Sequence, residues 1–301
     1  MLKRQIVLGV LGLASISLTT ACGGGGSGDE IKIGSKSFTE QYLLGNMYEM
    51  VLDDAGFDAE YTPIGQTDEN HSALVEGDID VYPEYTGTAL ISILGQEFDP
   101  EMTREEVYNV VKETYAEEYD VAVLEPTSFN NTYALVMPKD LANELGVETV
   151  SELSQKASDL TLGVDLEFAE RGDGLPGLQT TYGGFNFEEV VTLDPGLLYS
   201  GLEEGEIDVT SGYGTDGQIA AYDLVVLEDD KNFWPPYPAA AFVRQDTLAE
   251  HPEVAERLNE VAAVLDADTM QRLNWEVAGN GREPDEVARE FLEQEGLLGG
   301  E

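Results

Sequence analysis

Short strand-like runs alternate with helix-length segments along this chain, and few folds accept that order. Ile31 to Gly34, Ala59 to Ile64, Val121 to Leu124, Tyr133 to Met137 and Thr161 to Val164 read as strands. Val190 to Leu193, Ile207 to Thr210, Leu224 to Leu227 and Ala239 to Val243 continue the series. Between them, Glu40 to Asp54 sets Leu43, Leu44, Met47, Met50 and Val51 on one helical face and stops at Gly56. Asn70 to Glu76 and Arg104 to Tyr119 also read as helices, and the chain ends in three more: Pro252 to Leu265, Thr269 to Val277 and Pro284 to Glu293. Alternation on this scale predicts an α/β fold with largely parallel sheets. The length suits two lobes of ordinary domain size.

Composition narrows the partners. Hydrophobic residues make up 42% of the chain, enough for real cores, while Lys and Arg total 15 against 60 Asp and Glu, a formal net charge of −45. Nucleic acid is therefore a poor partner, because phosphate binding needs basic patches. The charge instead suits a protein made for brine: at about 1 M salt the screening length falls to roughly 3 Å, which mutes self-repulsion. A halophilic source is the expectation, with instability in dilute buffer as its corollary.

The N-terminus reads as an address. Met1 to Gln5 is short and basic, Ile6 to Leu18 is apolar but too short to span a bilayer comfortably, and Leu18-Thr19-Thr20-Ala21-Cys22 reads as a lipoprotein cleavage site. Thr19 departs from the Leu such sites usually carry, and an ordinary signal peptide cut near Ala21 is the alternative. Residues 1–22 are thus expected to be a signal peptide with Cys22 acylated. Stable anchoring then needs more than one acyl chain. Residues 23–28 form a Gly-rich tether. Cys22 is the only cysteine, so no internal disulfide can form.

Much familiar chemistry is missing. With two histidines, His71 and His251, and no second cysteine, a His/Cys zinc site is not available. Neither a Walker loop nor a dinucleotide fingerprint nor a Gly-x-Ser-x-Gly elbow occurs. No cofactor or catalytic group is expected, although carboxylates are abundant enough to leave a paired acid/base site open. What stands out is an internal echo: Gly77-Asp78-Ile79-Asp80-Val81 through Tyr85 matches Gly205-Glu206-Ile207-Asp208-Val209 through Tyr213. A common α/β turn used twice explains it; so does a pair of strands delivering tyrosines to one cleft beyond their carboxyl ends. Tyr133 and Tyr199 occupy similar turn or strand-end settings. A quaternary ammonium head has no N–H to donate, so aromatic faces are its natural partners, each desolvated ring being worth roughly 0.5–2 kcal/mol.

Asp80-Val81-Tyr82-Pro83-Glu84-Tyr85-Thr86-Gly87-Thr88 resembles the ligand-binding segment of the glycine betaine/choline substrate-binding proteins of ABC importers. The resemblance runs from Ile31-Lys32-Ile33-Gly34-Ser35-Lys36 to the C-terminus. It implies a two-lobed, periplasmic-binding-protein-like fold of type II that binds without making or breaking bonds. It places a four-tyrosine cage on Tyr85, Tyr133, Tyr199 and Tyr213, and a carboxylate clamp on Lys36, Arg171 and Thr88. Asn131 stands where some relatives carry Asp, and its neutral amide could shift preference toward a zwitterion. The chain is expected to cross between lobes near residues 128 and 212, with 29–128 plus 212–301 as one lobe and 129–211 as the other. That division puts Tyr85 and Tyr213 on one lobe, and Tyr133, Arg171 and Tyr199 on the other. The implied partners are an ABC permease with its ATPase and, through the lipid, the outer face of the cell membrane; a monomer is expected. A different small solute, or a lipid-anchored carboxylate-based hydrolase, is the competing expectation.

Overall fold

The computed structural model describes residues 30–299 other than 171 and 173. The expected signal peptide, Cys22, the expected tether and Arg171 lie outside the described residues. Among the described residues ten strands form two five-stranded sheets. The first contains β1 (Glu30–Lys36), β2 (Asp58–Gly65), β3 (Val81–Tyr85), β4 (Val121–Val123) and β10 (Ala239–Arg244), in the order β2-β1-β3-β10-β4. The second contains β5 (Tyr133–Pro138), β6 (Thr161–Val164), β7 (Glu189–Thr192), β8 (Val209–Tyr213) and β9 (Leu224–Val226), in the order β7-β6-β8-β5-β9. The alternation read from the sequence is therefore an α/β fold with two lobes.

Helices cover both faces of each sheet, and the strands show it in their side chains. Ala239, Ala241 and Val243 of β10 enter one core with Ile31, Ile33 and the helices Thr39–Asp54 and Glu253–Ala263, while Ala240 and Phe242 enter the other with Tyr82 and Tyr115. Likewise Leu135 and Met137 of β5 face one core, Ala134 and Val136 its opposite. Period-two alternation with apolar residues on both faces is what a strand buried on both sides requires.

The sheets are not wholly parallel. In each, one strand runs against the rest: β10 is antiparallel to β3 and β4, and β5 is antiparallel to β8 and β9. These are the two strands that enter a sheet directly from the other lobe. Each enters at the cleft end and runs away from it, whereas its neighbours run toward it.

The second crossing falls later than expected. Because β8 and β9 both pair within the second sheet, the return to the first takes place between Val226 and Ala239, not near residue 212. Tyr213 therefore ends a strand of the second lobe, beside Tyr133, and does not share a lobe with Tyr85. Residues just after β8 still touch the first lobe: the helix Gly217–Ala221 packs on the helix Ala267–Ala278, Gln271 Nε2 donates to the Gly214 carbonyl at 2.8 Å, and Asn274 Nδ2 donates to the Thr215 carbonyl at 2.8 Å. The two crossing segments are tied to each other, with Asn131 N–H donating to the Tyr237 carbonyl at 3.1 Å and Tyr237 N–H to Asn130 Oδ1 at 2.6 Å.

The sequence echo is a structural one. Gly77 and Gly205 each end a helix in the left-handed region, at φ 81° and 70°, a conformation that glycine adopts without a Cβ penalty. Three residues on, the Asp80 carboxylate accepts the Lys32 N–H at 2.8 Å, and the Asp208 carboxylate accepts the Thr161 N–H at 2.8 Å. Each aspartate thereby fixes the register of β3 on β1 or β8 on β6. Among the described residues no helix is long and apolar enough to cross a membrane.

Candidate functional site

A cavity of about 770 Å³ opens between the lobes, where β1, β3 and β8 end. One wall is built from the first lobe. Tyr85 closes β3 and begins a short helix, Thr86–Thr88, that runs on as a π-helical turn, Ala89–Ile93. Its ring is buried and lies 6.3 Å from that of Phe38 in a stacked arrangement. Thr88 and Phe38 line the same wall. Gly87 lets the second crossing pass close: a Cβ there would stand 2.6 Å from the Pro236 carbonyl oxygen and 2.8 Å from the Tyr237 ring. Gly87→Ala is accordingly expected to lower stability by about 1–3 kcal/mol in thermal melts, because backbone cannot yield as a side-chain tip can.

The other wall is the second lobe. Tyr133 and Tyr213 are register partners on β5 and β8, and their rings stack at 4.9 Å. Both line the cavity, with Tyr213 44% exposed. Tyr199 does not line it. It stands behind Asp216, donating its hydroxyl to Asp216 Oδ2 at 2.6 Å. Asn131 and Tyr237, from the two crossings, complete the lining together with Asn274 and Thr215. The structure thus brings Tyr85, Tyr133, Tyr213, Thr88, Lys36 and Asn131 to one cavity and sets Tyr199 one layer back.

Lys36 is less free than the implied clamp would need. It is buried, its ammonium pairs with the fully buried Glu84 carboxylate, and it lies 4.9 Å above the Tyr85 ring. One of its three donors is therefore committed inside the protein.

Two acids of the cavity lining, Glu40 and Asp216, carry no mark in the sequence as site residues. Glu40, in the first turn of the helix Thr39–Asp54, is 2% exposed and accepts from Tyr85 Oη at 2.7 Å, Asn131 Nδ2 at 2.9 Å and Asn274 Nδ2 at 3.1 Å. Burial pushes its carboxyl above the ordinary carboxylate range, and bonds from Thr215, Tyr85, Asn274 and Asn131 pull it part of the way back. Asp216 accepts from Tyr199 Oη and, at 2.8 Å, from the Tyr213 N–H. It too is raised by burial and lowered by those two bonds. Burial, and then the neighbouring carboxylate, hold the Tyr85 and Tyr199 hydroxyls protonated far beyond the usual phenol range. The one signal for either acid is position, since Glu40 lies in the first turn of the helix that follows β1 and Asp216 precedes a helix.

Two α/β lobes joined by a double crossing, with an aromatic cleft at their strand ends, define a solute-binding protein. Residues 29–294 match the family described as the substrate binding domain of ABC-type glycine betaine transport systems, and the chain belongs to that family. It is 35% identical over 311 residues to the carnitine transport binding protein OpuCC of Listeria monocytogenes, covering 100% of this chain and 99% of the relative. It is 34% identical to a glycine-betaine-binding protein of Pseudomonas aeruginosa over 99% of this chain and 96% of that one. A crystal structure described as a glycine betaine/carnitine/choline ABC transporter superposes with a TM-score of 0.85 at 34% identity, covering 89% of this chain and 99% of that chain. The family consists of binding proteins, so the hydrolase alternative is not favoured.

Proposed function

We propose that this chain captures a quaternary ammonium osmolyte, glycine betaine or a close relative, outside the cytoplasm and delivers it to an ABC permease driven by its ATPase. The observation that carries this reading is the convergence of Tyr85, Tyr133 and Tyr213, from both sheets, on one cavity that also holds the buried carboxylate of Glu40 and the half-buried one of Asp216. Aromatic faces and negative charge suit a cation that offers no N–H. The solute's carboxylate would fall to the remaining donors of Lys36, to Thr88 and to Arg171. Asn131 does not make the site neutral, because its amide donates to Glu40. Tyr199 joins this reading as the support of Asp216 and Tyr213. Lipid on Cys22 would hold a monomer at the membrane surface, and the excess of acids would suit a salty medium.

Ligand contacts to both walls would favour a closed form by differential affinity. The test is calorimetric titration of the mature chain without Cys22, in molar salt, with glycine betaine and then choline. One-to-one binding of betaine supports the reading; no heat from either ligand, on a folded protein, overturns it. Tyr85→Leu and Tyr133→Leu should each weaken binding by about 2–30-fold, the value of one desolvated ring. Unchanged affinity in both would remove the aromatic cage from the proposal.

A further inference from the structure

Glu40 and Asp216 are expensive residues for a cavity wall. A carboxylate taken out of water costs several kcal/mol unless it is well compensated. Glu84, the fully buried acid behind them, is compensated by Lys36. Neither Glu40 nor Asp216 has a Lys or Arg within ion-pair distance among the described residues; their partners are hydroxyls, amides and one backbone N–H. Such partners satisfy lone pairs and leave the charge in place.

The two acids also share one arrangement on opposite walls. Each lines the cavity and each accepts the hydroxyl of a tyrosine, Tyr85 at 2.7 Å and Tyr199 at 2.6 Å. A phenol that donates to a carboxylate gains electron density on its ring, which strengthens the negative face that a cation meets. Where a bound guest displaces water from the cleft, the same carboxylates attract a cation directly. Asp216 additionally fixes the Tyr213 backbone, and with it the ring stacked on Tyr133.

We infer that Glu40 and Asp216 are the charge-selecting residues of the cleft, which set its preference for a trimethylammonium cation over an uncharged group of the same shape. This rests on the quaternary ammonium reading given above and deepens it. The aromatic faces accept any apolar group of the right size; the two carboxylates distinguish the cation from its neutral isostere. They act partly at the ligand and partly through the tyrosines they hold.

The experiment compares choline with 3,3-dimethylbutan-1-ol, its uncharged carbon isostere, on the mature chain and on Glu40→Gln and Asp216→Asn, in molar salt, by direct titration and competition. The wild type is expected to favour choline by at least about tenfold, and each variant to lose most of that ratio while holding the alcohol within about twofold. A ratio unchanged in both variants, or a wild type that binds betaine yet does not favour choline over the alcohol, overturns the inference and leaves the quaternary ammonium reading intact. Equal loss of both ligands in variants whose circular dichroism and melting match the wild type makes the acids props for the tyrosines, and also overturns it. A folded wild type that binds no trimethylated ligand at all removes both readings.

Discussion

Glu40→Gln is expected to raise the stability of the unliganded protein at neutral pH by at least about 1 kcal/mol, the usual scale for removing an uncompensated buried charge. The substitution keeps the shape and keeps an oxygen for the Tyr85 hydroxyl. Its new N–H₂ takes the place of Oε2, where the Asn274 amide, whose Oδ1 is buried without a partner, can turn to accept at the cost of its bond to the Thr215 carbonyl. The sign of the pH dependence follows from the direction of the shift. Burial raises Glu40 in the folded state, so the native protein takes up that proton more readily than the unfolded chain. The stability Glu40 contributes is therefore full below the ordinary carboxylate pKa and is lost as pH rises through its raised value. The advantage of the variant should widen across that window and then level off. Denaturant titrations of both proteins over a pH series would show it; a constant difference would mean that Glu40 does not titrate anomalously.

Lys36→Met should act in the opposite direction, and strongly. Removing the ammonium leaves Glu84 fully buried, with one oxygen already lacking a partner. Breaking a buried pair from one side costs about 3–5 kcal/mol. Replacing both members, Lys36→Met with Glu84→Gln, should recover much of the loss, because no charge is then stranded. A thermodynamic cycle over the two single variants and the double variant measures the coupling directly. Single variants whose losses simply add would show that the pair is not coupled. The cycle also bears on ligand binding, since a lysine held this firmly can offer a guest only the donors that Glu84 does not use.

The strands and helices were legible because both sheets are covered on both faces. Continuous apolar runs such as Tyr133 to Met137 carry that signal without help from tertiary context. Sheet membership carried no local signal. β9 is three residues long, and nothing within Leu224–Val226 says whether it pairs with β5 or with a strand of the first lobe. The second crossing therefore lies later than the local sequence implies, and Tyr213 stands on the second-lobe wall. The tyrosines of the cleft were visible as residues at strand ends. The acids behind them were not, because 60 carboxylates hide two. Burial marks Glu40 and the hydroxyl of Tyr199 marks the half-buried Asp216, and both are properties of the assembled lobes.

The paired register locks of Asp80 and Asp208 give the cleft an approximate twofold symmetry, and charge breaks it. Each lock holds the N–H of a neighbouring strand, that of Lys32 in one lobe and of Thr161 in the other. Counting the same distance along each strand from its lock leads to Lys36 on one side and Asp165 on the other. Burial chiefly raises the Tyr213 hydroxyl, with Tyr133, Asp216 and last the Asp165 charge adding to it, while the Lys36 ammonium lies over Tyr85. Equivalent backbone positions thus carry a lysine on one side, where Glu84 answers its charge, and an aspartate behind the cavity lining on the other, so the locks repeat and the charges do not.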